Sequence, residues 1–579
     1  MTIINSYLGG GGGGGIPIGY CQLDIIWNTE DGQNLNGATV SIVGAQSYTA
    51  TTDSTGNASL LVAAGNYTIM VTPVQGAYTH TTAQVVAESG TSKTVSIFGG
   101  ARDIILMSSI LLPYATWEIK DANSHVAASG SGVEAYKIIS IMDGPYTVEV
   151  DTYGVVGSKS VTVSESNFII DISDMFVNLT INTQNLHMDL ALNGDTIATN
   201  TANPVIKVAK NGVGSWAVSG TVTEQFLGSV IGTYNGGETI QPISTDSTVT
   251  LMAFTSGASH LITSTRSVTI PATGKYRIFA IGGGGGSGKT QHSGGGGSGY
   301  VTDGIYTVNA GNVTATIGAG GAAGAAPTKN GSSGGTGGAT SFGNIMSASG
   351  GEGGSKYTGN ETNARTYTYG GRGAAGGGKG TASSEYSNTS TWLAYYGDGS
   401  LYGGGGGGAV FASMTKYMYQ MVGGTSGEKG GDGGSGGSYN TNNSEKLTGT
   451  AGASGVEFDG GAFFLDVAPA FSNTYVGGSH GGAGRAGGGG GGWGAKGGNA
   501  NTTFSNTASG GGGGGGIAGG DGGDSGQHGK GYGSGGAYTS NEYSKSGGGG
   551  GGLFNVDFSS LGQAGAPGAL IIQWIPTTI

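Results

Sequence analysis

Val268-Thr-Ile-Pro-Ala-Thr-Gly-Lys-Tyr-Arg-Ile-Phe-Ala-Ile281 runs straight into Gly282 to Gly286, and the reading of that junction decides the fold. Tyr276, Ile278 and Ala280 alternate with Lys275, Arg277 and Phe279, the period of two expected of a strand with one face better buried. A second glycine run, Gly294 to Gly297, gives way to strand-like Tyr300-Val301, Tyr306-Thr-Val308 and Val313-Thr-Ala-Thr-Ile317. The sequence then dissolves into Gly318-Ala-Gly-Gly-Ala-Ala-Gly324. The runs themselves read as having no period. Because glycine loses about 1 kcal/mol per residue relative to alanine in a regular element, so many runs kept in register with strands imply a packing that requires glycine.

Polyglycine II is such a packing, a left-handed helix of three residues per turn with the geometry of polyproline II. It has no internal hydrogen bonds, so its buried amides need partners on neighbouring chains. Only strands without side chains approach closely enough on several sides to supply them.

A resemblance rests on an ordered series of motifs. Ala272 to Gly286, Gly294-Gly-Gly-Gly-Ser-Gly-Tyr-Val301, Thr314 to Gly324, Gly338-Ala-Thr-Ser-Phe-Gly343 and Ser347-Ala-Ser-Gly-Gly351 are similar to the glycine-rich domain of bacteriophage tail-fibre and adhesin proteins. Gly565-Ala-Pro-Gly-Ala-Leu-Ile-Ile-Gln-Trp574 resembles that family's last strand. The match runs from Ala258 to Ile579. It implies a small β-sandwich that extrudes a bundle of polyglycine II helices, with variable loops that meet the host surface.

Residues 22–255 are strand-rich and poor in long glycine runs, with turn signals at Asp31-Gly32, Asn36-Gly37 and Ser54-Thr-Gly56. Gly65-Asn-Tyr-Thr-Ile-Met-Val71 recurs as Gly144-Pro-Tyr-Thr-Val-Glu-Val150 and, more weakly, as Gly214-Ser-Trp-Ala-Val-Ser219. This repeat predicts three consecutive Ig-like sandwiches. The first, with Gly37-Ala-Thr-Val-Ser-Ile42 and Thr52-Asp-Ser-Thr-Gly56, resembles the carboxypeptidase-regulatory or transthyretin-like fold. The expected class is therefore all-β. The expected domains are a glycine-rich tether over 1–20, sandwiches over 21–100, 101–173 and 174–257, and a glycine-rich adhesin domain over 258–579. Gly9 to Gly15 reads as a flexible tether or as a short glycine strand docked in another subunit.

Composition limits the function. With 129 Gly but only 11 Pro and no strict Gly-X-Y repeat, collagen is excluded. The formal net charge of −12 argues against nucleic acid, which calls for a basic face. The single cysteine, Cys21, permits no internal disulfide and reads as a small apolar strand residue. No apolar run approaches the roughly 20 residues of a membrane span. Met1 to Leu8 lacks the pattern of a signal peptide, so synthesis in the host cytoplasm and release by lysis as part of a virion is the expected route.

Chemical motifs are few. Gly283 to Thr290 satisfies the Walker A pattern, but Gln291-His-Ser-Gly-Gly-Gly-Gly after it cannot propagate the helix a phosphate loop opens. Gly519-Gly-Asp-Gly-Gly-Asp524 is half of a calcium nonapeptide without its apolar residue. The histidines lack zinc spacing, and no serine sits in a nucleophile elbow. No cofactor, metal or catalytic residue is expected, although a glycosidase-like carboxylate pair of the tailspike kind remains an alternative.

The insertions between glycine runs are built from Tyr, Asn, Ser and Thr, the vocabulary of antibody loops. Tyr367, Tyr369, Trp392, Tyr395, Tyr396, Tyr417, Tyr419 and Tyr439 are the candidate receptor-binding residues, with packing as the competing role. Phe463-Phe464-Leu465 and Phe554, Val556 and Phe558 read as caps on the bundle's ends or cover for its flank. The expected partners are a host receptor, glycan or outer-surface protein, and other virion tail proteins through the N-terminal region. The expected function is a phage tail-fibre or tail-tip adhesin. A non-binding shaft, a capsid decoration protein and a cellular adhesin are the alternatives.

Overall fold

A computed structural model describes residues 15–29, 36–72, 81–99, 102–141, 144–164, 167–289, 293–325, 332–356, 370–373, 375, 398–399, 403–406, 411–414, 424, 426–433, 438–440, 446–447, 450–467, 476, 479, 488–500, 516–525, 527–537 and 548–577. The chain is all-β, and it divides into two compact units. One comprises Met1–Thr183, Met188–Thr221 and Gly236–Ala253; the other comprises Gln184–His187, Val222–Asn235 and Phe254–Ile579.

The first unit holds tandem sandwiches of small, mainly antiparallel sheets. In the first, Asn57–Ala63, Tyr20–Thr29 and Ser92–Gly99 form one sheet, and Ser47–Thr51, Thr39–Gly44, Gly65–Thr72 and Thr81–Ala87 the other. Cys21, Leu23, Ile25 and Trp27 alternate into its core, so the cysteine packs as a small apolar side chain. The repeated segments turn out to be equivalent interior strands. Tyr67, Ile69 and Val71, then Tyr146, Val148 and Val150, then Trp216 and Val218 are all buried. Each of these strands lies between two others in its sheet. The repeat is thus the inward half of a period-two pattern.

The second and third sandwiches are joined through the turn after Gly144–Thr152. Thr152 Oγ1 accepts the Ala209 N–H at 2.8 Å, and its carbonyl accepts Trp216 Nε1 at 3.0 Å. Asn193 Nδ2 donates to the Tyr153 carbonyl at 2.6 Å, and Tyr114 stacks on Tyr153 with ring centroids 4.7 Å apart. Tyr153 adopts φ 56°, a left-handed conformation that a bulky residue holds only where its surroundings enforce it. Thr152→Val would keep the shape of the side chain but strand the buried Ala209 N–H. It should cost about 1–3 kcal/mol, seen as a lower denaturant midpoint for unfolding of this unit.

In the second unit two sheets face each other. One has the order His260–Ile262, Ala569–Ile575, Gly274–Ile281, Val301–Val308, and the other Arg266–Ile270, Gly311–Thr316, Thr340–Phe342, Met346–Ala348. The opening and closing strands of the glycine-rich region pair directly, with Tyr276 opposite Trp574 and Ile278 opposite Ile572. Phe279 departs from the alternation expected of a one-sided strand, because both faces of this pair are covered. Phe279, Ile281, Ala569 and Ile571 pack into a second apolar cluster with Phe464, Trp493, Ile517, Leu553 and Phe554.

From these sheets the glycine runs project. Residues 282–289 leave Ile281, and their hydrogen bonds rotate among neighbours with a step of three. Gly283 and Gly286 donate to Gly338 and Gly335, both at 2.9 Å. Gly284 and Ser287 donate to Ala566 and Gln563 at 2.9 Å, while Gly285 donates to Gly297 at 2.8 Å. In return Gly351 and Gly354 donate to Gly283 and Gly286, Gly321 and Gly324 to Gly284 and Ser287, and Gly536 to Gly285. The central run is thereby enclosed by six others, each meeting a different edge of a three-per-turn helix. A Cβ on Gly283, Gly284, Gly285 or Gly286 would fall onto the carbonyl oxygen of Ala319, Ser534, Glu352 or Ala322. Glycine is therefore required here by close approach rather than by φ.

The outer runs correct the reading that these stretches have no period. Ala319, Ala322 and Ala325 are exposed while Gly318, Gly321 and Gly324 are buried. Ser333, Thr336 and Ala339 repeat the spacing in the antiparallel neighbour, also facing solvent. In these two runs side chains recur every third residue along the edge that faces solvent. The central run has no such edge and shows no period.

Crowding grades the expected effect of substitution. Gly286→Ala places a methyl against buried backbone and should cost more than the ~1–3 kcal/mol typical of an overpacked core. At Gly335 the nearest atom to an added Cβ is 3.1 Å away, so Gly335→Ala should be tolerated with a small loss. Thermal unfolding of the two variants checks this, and equal melting temperatures would show that the runs are not packed as described.

Candidate functional site: the far end of the glycine bundle

The hydrogen-bond register assigns each described run end to one of two ends of the bundle. The near end adjoins the sheets, where Gly282 bonds to Tyr300 and Gly568 to Gly318. Seven residues along the central run, Lys289 bonds to Ser332, and Gly294 bonds to Ser355 at the same level. Lys289, Ala325 and Lys356 therefore end outgoing runs at the far end, and Ser293 and Ser332 begin returning ones. The residues 290–292, 326–331 and 357–369 connect these far ends.

The same tracing extends to later runs. Leu553, Ile517 and Trp493 belong to the near-end apolar cluster, so the run 488–493 approaches the sheets. Gly490 donates to Gly405, and Gly433 to Gly424, which in turn donates to Gly406. Gly406, Gly424 and Gly433 accordingly mark far ends, and the sequence that follows Gly406 and Gly433 contains the strands of a small sheet, Phe411–Met414, Ser438–Asn440 and Lys446–Leu447. Ala375, by contrast, bonds to Ser298 near the sheets, at the start of residues 376–397.

Of the candidate residues, Tyr439 belongs to that small sheet, opposite Lys446. Tyr367, Tyr369, Trp392, Tyr395, Tyr396, Tyr417 and Tyr419 lie outside the described residues. Sequence reading did not single out Lys289 or Lys356 as surface groups at the far end. Their position at the close of a glycine-rich stretch was the available signal.

The near end is a packing layer. Phe463 and Phe464 sit on the short helix Gly461–Leu465, and Phe464 meets Phe279 edge-on at 5.0 Å between centroids. Phe458 lies 4.6 Å from Trp493. The Arg277 guanidinium stands 4.3 Å over Phe463 and is paired with Asp303 at 2.9 Å. Lys429 lies 4.1 Å over Trp493 and is paired with Asp459 at 2.8 Å. Cation and ring contacts of this kind hold side chains in place.

The Walker A pattern fails on geometry. The amides of Gly283 to Gly286 that a phosphate would need are donated to carbonyls inside the bundle. In Gly519 to Asp524 the carboxylates have structural partners as well. Asp521 Oδ1 accepts the Lys496 N–H at 2.7 Å while Gly522 donates to the Lys496 carbonyl. Asp524 treats Asn499 in the same way at 2.6 Å, and Asn499 Oδ1 takes the Ser479 N–H at 2.9 Å. In each case a side-chain oxygen substitutes for the carbonyl that a neighbouring run would offer. No group of three or more metal-ligating side chains occurs among the described residues.

No family model and no curated protein matches the chain. Among solved structures it is similar to the Bacillus anthracis TIE protein, at 15% identity over 40% of this chain and 50% of that one, with a TM-score of 0.15. It is also similar to a Streptococcal ancillary pilin, at 13% identity over 27% and 62% with a TM-score of 0.18. A third is BcpA, the major pilin subunit of Bacillus cereus, at 12% over 40% and 99% with a TM-score of 0.14. The chain spans 50% of the first of these structures and 62% of the second. Likenesses this loose carry no conclusion about function.

Burial pushes the Asp521 carboxyl above the usual carboxylate range, against the lowering effect of its Lys496 hydrogen bond and the nearby Lys530 and Lys496 charges. A raised pKa in the folded chain means the fold binds the proton more tightly than the unfolded chain does. The stabilising contribution is complete below the unfolded value, about pH 4, and is lost as pH rises through the raised folded value. Asp521→Asn keeps an oxygen for the Lys496 N–H and should remove this dependence. Melting temperatures across acidic to neutral pH should show the variant gaining most on wild type at neutral pH.

Proposed function

We propose that the chain is a surface adhesin in which β-sandwich modules act as spacers and the glycine bundle presents recognition segments at its far end. The single observation that supports this is the bundle's register, which holds several chain segments side by side at one end of a rigid scaffold. Recognition is generally carried by loops held on a rigid scaffold. The segments that join these far ends, residues 357–369, 407–423 and 434–449, contain Tyr367, Tyr369, Tyr417, Tyr419 and Tyr439. Trp392, Tyr395 and Tyr396 fall in 376–397, which follows the near end at Ala375, and are left out of the proposed surface.

The proposed carrier is a bacteriophage virion, with the protein as a tail-fibre or tail-tip component. The support for it is the resemblance of the ordered motif series. A cell-surface adhesin would use the same architecture, and immunogold labelling of purified virions separates the two. The proposed partner is a receptor on the host surface, glycan or protein, contacted by aromatic anchors. Enzymatic activity, a metal and a cofactor form no part of the proposal.

Recognition energy usually concentrates in a few aromatic residues, each costing ~2 kcal/mol or more on truncation. Replacing Tyr367, Tyr417 and Tyr439 together with alanine in the full chain should lower adsorption to susceptible cells at least tenfold, with the melting temperature unchanged. Replacing Trp392, Tyr395 and Tyr396 should leave adsorption intact. Wild-type adsorption by the first variant would overturn the far-end assignment.

A further inference from the structure

Each of the three sandwiches contains a three-stranded sheet of one topology, a central strand with an antiparallel neighbour on one side and a parallel neighbour on the other. The central strands are Tyr20–Thr29, Arg102–Met107 and Phe176–Asn182. Their outward faces differ. In the first sandwich Gln22 and Asp24 face out with Ser59, and Gln22 Nε2 donates to Ser59 Oγ at 2.7 Å. In the third Asn178 faces out beside Lys207 and donates through Nδ2 to Asp246 at 2.6 Å. In the second the corresponding face is apolar: Ile105 stands between Ile138 and Ile169, and Met107 is opposite Tyr136. Tyr136 is 67% exposed, Ile138 61% and Ile169 46%.

The antiparallel neighbour in the second sandwich, Tyr136–Ile141, is also an edge. It pairs with Arg102–Met107 over six residues without irregularity, and no described strand pairs with its other side. An edge strand presents a row of open N–H and C=O groups, which natural proteins usually blunt by brevity, charge, proline or a bulge. The other edges of this sandwich are blunted in these ways. Val126–Val133 has two register shifts, and Ile169–Asp171 is three residues long and ends in a carboxylate. Val155–Val163 carries Lys159 and is bridged at Val156 to Val213. Tyr136–Ile141 has no proline, and its one charge, Lys137, lies 5.2 Å over the ring of buried Trp117. The carboxylates of the same face, Asp103 and Asp171, are on the other two strands and accept hydrogen bonds from Ser140 and Ser173.

We propose that Tyr136–Ile141 pairs with the same strand of a second copy of the chain, antiparallel and about a twofold axis. Such a junction is self-complementary, because reversing the strand sets each open donor opposite an open acceptor. It joins two three-stranded sheets into one of six strands and brings Tyr136 and Ile138 of both copies together on one face. Strand addition of this kind takes its affinity from main-chain bonds and its selectivity from the side chains that alternate along the strand. The edge strand carries no carboxylate, so the junction opposes no acidic pair in a chain of formal net charge −12. A junction of one short strand lies below the ~1,200 Å² of a stable interface, so the association is reversible and forms where copies are concentrated. The inference goes beyond the adhesin reading and does not depend on it.

The test is sedimentation equilibrium of the full chain over a wide range of concentration, with amide hydrogen exchange measured at the two extremes. Wild type should pass reversibly from monomer to dimer, and the amides of 136–141 should exchange more slowly at the high concentration. Ile138→Lys places a charge on the open edge and should weaken the dimer at least tenfold, about 1.4 kcal/mol. Val205→Lys makes the same change at a 60% exposed position on an edge strand of the third sandwich and should leave the dimer as it is. Melting temperatures show whether the variants fold, and if Ile138→Lys melts lower than wild type, Tyr136→Glu asks the same question at the more exposed position. A chain that stays monomeric, a dimer indifferent to the changes at 136 and 138, or one weakened equally by Val205→Lys overturns the proposal. A dimer in which the amides of 136–141 exchange no more slowly overturns strand pairing in favour of stacked faces.

Discussion

A glycine helix of three residues per turn cannot satisfy its own backbone, and the second unit is organised by that deficit. Every amide of Gly283 to Ser287 is bonded to another run, in rotation around the helix axis. An unpaired buried N–H costs about as much as several ordinary hydrogen bonds contribute, so the runs are stable only as a set. The carbonyls that accept these bonds lie where side chains would begin, and this makes glycine obligatory at the centre. Where the number of neighbours falls, side chains return, as at Ala319, Ala322 and Ala325.

The sandwich supplies what the runs lack, which is a starting register. Gly282 follows Ile281, Gly318 follows the strand Gly311–Thr316, Ser349 follows Met346–Ala348, and Gly568 precedes Ala569–Ile575. These attachments, with those of Gly299 through Tyr300 to Val301–Val308 and of Ala339 to Thr340–Phe342, set the relative height of the runs. A run slipped by one residue would turn a different edge toward each neighbour and misalign all its bonds at once. The pairing of Tyr276 with Trp574 therefore matters well beyond its own sheet, since it aligns the first outgoing run with the last returning one.

Much of this was legible in the sequence. The recurrence of Gly65 to Val71 at Gly144 to Val150 and, more weakly, at Gly214 to Ser219 was enough to predict repeated sandwiches, whereas the interior place of these strands in their sheets became visible only in the structure. The pairing of the opening and closing strands followed from two apolar segments flanking one region. Phe279 was misjudged because nothing local reveals that a second apolar cluster covers that face. The period of three was missed because it exists only in runs with a solvent edge, and the most conspicuous run, 282–289, has none. The division of insertions between two ends was not readable either, since it depends on how many residues each run spends crossing the bundle.

Glycine loses more conformational entropy on ordering than any other residue, and one hydrogen bond per residue contributes only about 0.5–1.5 kcal/mol. The bundle is therefore not expected to stand on backbone bonding alone. The apolar layer at its near end answers this, with Phe464, Trp493, Leu553 and Phe554 buried against Phe279 and Ile571 of the sheet. Among the described residues of the bundle, the large buried apolar side chains gather there, because the crowded middle of the bundle has no room for them. At the far end the runs terminate, crowding relaxes, and residues such as Lys289 and Lys356 become sterically possible again. Hydrophobic anchoring at one end and chemical freedom at the other follow from the same packing rule. That rule separates the part of the unit where a substitution alters the fold from the part where it alters only what the surface can bind.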